Sequence, residues 1–184
     1  MEIAVPPRTA QVFNVFDDIR VLQLEGELKM LYKLDCSSVV RFYAVYRSQN
    51  RVHLVLEHMD LGSLLSLIHQ QRDPKPVPES VAAAMLYQML WGVSYLHRSR
   101  ALHRDVKPSN IVLNRAGELK LADFGIAKEF GADELTDTMA GTFKYMSPER
   151  LRGDVYGPAA DVWSLGLVLL EIVTRRQPFE ACSN

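Results

Sequence analysis

The segment Ile111–Leu121, IVLNRAGELKL, narrows the folds open to this chain more than any other. An apolar run at Ile111–Leu113, a turn at Arg115–Gly117 and a second run at Leu119–Leu121 predict a β-hairpin. A hairpin brings its two ends together. One end carries Asn110, the last residue of HRDVKPSN, and the other carries Asp123, in ADFG. Residues distant in sequence are therefore expected side by side, in loops rich in ionisable groups.

The rest of the pattern places a small sheet before a helical region. Apolar residues at Leu22, Leu24, Leu28, Leu31 and Leu34 have helical spacing. SVVRFYAVYRSQNRVHLVLEHMD reads as two strands around a polar turn at Ser48–Asn50. Ser63 is placed to cap a short helix, SLLSLIHQ. A long helix is predicted from about Glu79 to His97, with Val81, Met85, Leu86, Met89, Leu90, Val93 and Leu96 on its apolar side. Asp161–Arg175 is helical and apolar almost all round, which predicts burial and a need for cover. The fold class expected is α+β, with residues 1–59 forming a sheet-bearing lobe and 60–184 a helical lobe.

Bulk composition excludes some functions. The chain has 184 residues, 48% of them hydrophobic and 23% charged, the balance of an ordinary globular protein. A formal net charge of -1 gives no global attraction to nucleic acid or to an anionic membrane. Two cysteines make no disulfide framework. No stretch reads as a signal peptide or a membrane span, so a cytoplasmic location is expected.

The loop residues suit phosphoryl transfer from a nucleotide. That reaction needs a carboxylate to orient a hydroxyl and accept its proton, oxygen ligands for magnesium, and a cation to offset phosphate charge. Asp105 supplies the carboxylate, Lys107 the cation, and Asn110 and Asp123 the metal oxygens.

These residues carry a resemblance. His103–Asn110 resembles the protein-kinase catalytic loop, with Val106 in place of leucine, and Asp123–Gly125 resembles its D-F-G motif. MSPE at Met146–Glu149 resembles the segment that closes the activation loop, and DVWSLG at Asp161–Gly166 the helix that anchors the large lobe. HRDVKPSNIVLN, GTFKYMSPERL and LEHMDLGSL look most like MAP kinase kinases. The resemblance implies a bilobal kinase fold, ATP and Mg2+ as cofactors, a MAP kinase as protein substrate and an upstream activating kinase as partner. It makes Asp105 the base and Asn110 and Asp123 the metal ligands. Glu57 and Met59 would offer backbone groups to adenine, Leu56 would be the gatekeeper, and Val112 would pack beneath the ring. Leu31, Phe42, His103 and Phe124 would stack as a spine. Thr138 matches one phosphorylation site of the family, and Thr136 is a substitute candidate for the other. A phosphate on either would add about −1.5 to −2 charge and is expected to dock on Arg104.

The nucleotide-binding half of the pattern is thin. No two of the ten glycines are spaced G-x-G, and no lysine precedes Lys29. Glu27 matches the helix glutamate that should pair with a strand lysine. Aligning on it puts Gln11 in the lysine position, and an alternative alignment puts Pro6 there. A charge pair at about 4 Å and an effective dielectric of 20 is worth about 4 kcal/mol before desolvation. Its loss would slow transfer by up to about 10³. The chain is accordingly expected to be part of a longer parent and weak on its own. The alternative is a kinase-like scaffold or binding module that no longer transfers phosphate.

Overall fold

A computed structural model describes residues 8–14, 34–48, 51–69, 77–123 and 143–179. The expected helix around Leu22–Leu34 lies mostly outside them, as do Pro6, Glu27, Leu31, Phe124, Thr136 and Thr138.

Strands β1 (Arg8–Asn14), β2 (Phe42–Ser48) and β3 (Arg51–Glu57) form an antiparallel sheet in the order β1-β3-β2. The two strands expected around a polar turn are therefore β2 and β3. Val52 and Leu54 alternate inward from the central strand and are buried. Gln11 lies on β1 opposite Leu54, so the strand runs through TAQVF.

A second sheet, β4-β5-β6, joins Gly62–Ser63, Ile111–Leu113 and Leu119–Leu121. The hairpin has the predicted bounds, with Gly117 in the left-handed turn position at φ 83°. Residues 38–40 tie this sheet to the segment leading into β2. Val40 N–H donates to Leu121 O, and Leu121 N–H to Ser38 O, each at 2.9 Å.

Helix α1 (Leu64–His69) starts where Ser63 Oγ accepts the Ser66 N–H at 3.3 Å, the expected cap. Helix α2 spans Glu79–Arg98, α3 Pro148–Arg152 and α4 Pro158–Thr174. Met89, Val93 and Leu96 of α2 share one core with Ile111, Leu119 and Leu121 of the hairpin and Leu165, Val168 and Ile172 of α4.

Two expectations about faces need correction. On α2, Val81 and Leu90 are exposed, while Ala82 and Gly92 are buried. The apolar side is rotated toward the small residues because β6 crosses close to the helix axis there. On α4, Val162, Trp163, Leu170 and Val173 are 42–51% exposed, so only one side of this apolar helix is buried among the described residues.

Gly92 marks the closest approach. A Cβ at this position would lie 2.8 Å from Ser38 O and 2.9 Å from Leu121 Cδ1. Alanine gains about 1 kcal/mol of helix propensity. Overpacking against a backbone oxygen that is itself tied to β6 costs about 1–3 kcal/mol. Gly92→Ala is expected to lower stability by about 1 kcal/mol in a urea melt, whereas propensity alone would raise it.

Candidate active site

In the loop at residues 101–110, one buried side chain holds two backbone N–H groups. Asp161, in the first turn of α4 and 2% exposed, accepts the His103 N–H (2.9 Å) and His97 Nε2–H (2.8 Å) on Oδ2, and the Arg104 N–H (2.9 Å) on Oδ1. A helix N-terminus favours a carboxylate, so the position suits the charge. Arg104 sits at φ 67°, a conformation that costs a non-glycine residue about 1–2 kcal/mol and so needs such support.

His103 is fully buried, and burial pushes its pKa below the ordinary histidine value. The Asp161 and Asp105 carboxylates offset this only in part. The imidazole is thus neutral at pH 7, and its Nδ1 accepts the Asp105 N–H at 3.3 Å.

The chemistry-bearing side chains converge just beyond. Lys107 Nζ lies 3.1 Å from Asp105 Oδ2. Asn110, buried at the end of a 3-10 turn (Pro108–Asn110), donates its Nδ2–H to Asp105 O (2.9 Å) and Asp105 Oδ2 (3.0 Å). That fixes the amide orientation and turns Oδ1 away, toward Ser109 Oγ at 3.3 Å. The hairpin then returns the chain to Asn110, whose O accepts the Ala122 N–H at 2.8 Å. Asp123 follows at φ 56°, exposed at the end of β6. Asp105, Lys107, Asn110 and Asp123 thus lie at one end of the hairpin, as the sequence predicts.

An apolar floor adjoins them. Val40, Met59 and Ala122 are buried together, with Leu56 and Val112 packed against them. Glu57, at the end of β3, donates its N–H to Arg41 O (2.8 Å). The Met59 carbonyl accepts from Gly62 N–H (3.1 Å), which leaves its N–H and the second lone pair of its oxygen for a ligand. The Glu57 carboxylate is held by Lys120 Nζ at 2.5 Å and by the Arg41 N–H at 3.1 Å. Phe42 opens β2, but two members of the expected spine, Leu31 and Phe124, lie outside the described residues.

Sequence reading missed Lys120, Asp161 as the loop anchor, and Arg150. Lys120 had no local signal: L-K-L alternation reads as a lysine facing solvent, and only the burial of all three residues in the fold shows that it demands a partner.

The donor set fits magnesium and a nucleotide. Amide and carboxylate oxygens are the ligands this ion prefers, and the apolar floor fits the face of a planar base. Among the described residues no three His, Cys, Asp or Glu side chains form a ready-made metal centre. Magnesium often keeps few protein ligands and takes the rest from phosphates and water.

A protein kinase domain model matches residues 15–184. Mitogen-activated protein kinase kinase 2 of Arabidopsis thaliana is 41% identical over 168 residues, covering 90% of this chain and 45% of that protein. Mitogen-activated protein kinase kinase 1 of the same plant is 39% identical over 158 residues (85% and 44%). Mitogen-activated protein kinase kinase SIPKK of Nicotiana tabacum is 40% identical over 168 residues (90% and 46%). The chain belongs to the protein kinase family. It spans a little under half the length of these curated relatives. Among the described residues no helix is long and apolar enough to cross a membrane.

Proposed function

We propose that the chain carries the catalytic core of an ATP-dependent protein kinase of the MAP kinase kinase type. It would transfer the γ-phosphate of ATP to serine or threonine, and tyrosine, of a downstream MAP kinase in the cytoplasm. The observation that carries this reading is the network joining Asp105, Lys107 and Asn110 at hydrogen-bond distance, with Asp123 returned beside it by the hairpin.

Each residue has a role set by its surroundings. Asp105, tethered at its tip by Lys107 and Asn110, orients the substrate hydroxyl and accepts its proton. Lys107 presents a point charge to the transferring phosphate. Asn110 Oδ1 and the Asp123 carboxylate would hold Mg2+, which would supply positive charge to offset that of the phosphates. Val112, Leu56 and Met59, which pack in one apolar cluster, would enclose the adenine, and backbone groups of Glu57 and Met59 would bind its edge. The chain would be a partial kinase domain, with about residues 1–59 a remnant of the small lobe and the hinge, and 60–184 the large lobe as far as its central helix. Glu27 corresponds to the glutamate that pairs with the strand lysine in the family, and Thr138 and Thr136 would receive phosphate from an upstream kinase.

One observation favours the binding-module alternative. Gln11, in the position aligned with the strand lysine, does lie on a strand paired with β3, and it brings no cation. Nucleotide binding and turnover separate the two. A ligand present at 100 times its dissociation constant stabilises the folded state by about 2.7 kcal/mol. Mg-ATP is expected to raise the melting temperature of the chain, and Asp123→Asn to abolish the rise. A cooperatively melting protein with no shift overturns nucleotide binding. A shift without phosphotransfer favours the binding module.

A further inference from the structure

We propose that Arg150 is a positioning residue for the base, acting on the peptide that joins Arg104 to Asp105. This inference rests on the reading of Asp105 given above. The Arg104 carbonyl and the Asp105 N–H belong to one peptide unit. Arg150 Nη1 donates to that carbonyl at 2.6 Å, across 46 residues of sequence, and the N–H donates to His103 Nδ1 at 3.3 Å. The peptide before it is held by Asp161 through the Arg104 N–H. Both peptides flanking a left-handed, non-glycine residue are therefore pinned, one by Asp161 and the other by Arg150.

The geometry calls for arginine. The Arg150 guanidinium lies over the Tyr156 ring, 5.0 Å from its centroid, while one of its nitrogens reaches the carbonyl. A planar, delocalised cation can stack and donate at the same time, and an ammonium cannot do both as well. Its backbone is set by α3, which ends at Gly153 in the left-handed conformation with Gly153 N–H bonded to Arg150 O at 3.1 Å.

The consequence is a division of labour at Asp105. Lys107 and Asn110 hold the tip of its side chain, and Arg150 holds the peptide at its root. Freed of Arg150, the peptide can rotate about its ends, the Asp105 N–H leaves His103, and the carboxylate moves off its mark.

Amide hydrogen exchange in the 184-residue chain tests this without requiring turnover. Arg150→Met is expected to speed exchange at Asp105 by about tenfold or more while the α4 core keeps its protection. Arg150→Lys should fall between the two, because it keeps a donor and loses the stacked fork. Where the wild-type chain transfers phosphate, Arg150→Met should lower kcat by about tenfold to a hundredfold, as misplacement of a reacting group does. The KM for ATP should stay within about twofold, because the base does not bind the nucleotide. Unchanged exchange at Asp105, or exchange accelerated equally throughout α4, overturns the inference. If Arg150→Met does not fold, Arg150→Lys and Tyr156→Leu decide, and unchanged Asp105 exchange in both overturns it. A wild type that transfers no phosphate counts against the proposed function, and exchange at Asp105 still judges Arg150.

Discussion

Asp161→Ala is expected to remove about 3–5 kcal/mol of stability, because three donors lose one charged acceptor at about 1–3 kcal/mol each and relaxation of the loop recovers part of that. Domains of this kind hold only about 5–15 kcal/mol in total. The carboxylate accepts two backbone N–H groups and an imidazole, and the alanine methyl replaces none of those bonds. The His103 N–H is buried, so water cannot take over the Asp161 role without opening the loop. The left-handed Arg104 also loses the bond that holds its N–H, leaving its carbonyl on Arg150. Asp161→Asn should cost less, about 1–3 kcal/mol, because one amide oxygen can still accept while the NH2 group faces a donor. Urea unfolding of the two variants beside wild type checks both values. A loss below about 1 kcal/mol for alanine would mean that the loop backbone is satisfied some other way.

The hairpin was readable because its information is local. Period-two alternation around a glycine turn specifies pairing within a few residues, and that pairing alone brings Asn110 to Ala122 and sets Asp123 beside the loop. The extent of α2 was readable for a similar reason, since its apolar period runs unbroken from Glu79. Which way that helix faces was not. Leu90 and Val81 are as apolar as Met89, but burial is decided by where β6 and Ser38 approach, and Gly92 is the residue that permits it.

The supports of the site were the least legible part. Asp161, Arg150 and Lys120 each grip a partner from 46 to 63 residues away, and no local pattern encodes a contact at that range. The groups that do chemistry could be picked out by type and spacing. The groups that hold them still belong to elements whose own sequence looks like ordinary helix or strand. Lys120 illustrates the limit. L-K-L alternation points the lysine away from its leucines, and only the fold shows that this face is buried too, with Glu57 meeting the cation at the edge of the apolar floor.

Asp105→Asn should show the opposite signature to Asp161→Ala: a large loss of rate with little loss of stability. A positioned general base contributes about 10²–10⁴ to rate. An asparagine cannot accept the substrate proton at neutral pH, so kcat should fall by about that factor. The fold has less at stake. The substituted side chain would keep an oxygen for the Asn110 Nδ2–H and lose the ion pair with Lys107, whose side chain is 19% exposed and can turn toward water. The expected cost is about 1 kcal/mol. Nucleotide binding gives the third readout. Asp105 is not a metal ligand in this reading, so the Mg-ATP shift should survive Asp105→Asn and disappear in Asp123→Asn. A rate within about tenfold of wild type would remove Asp105 from the role of base. Loss of the Mg-ATP shift in Asp105→Asn would instead place its carboxylate in the metal site, and the assignment of ligands to Asn110 and Asp123 would have to be redrawn.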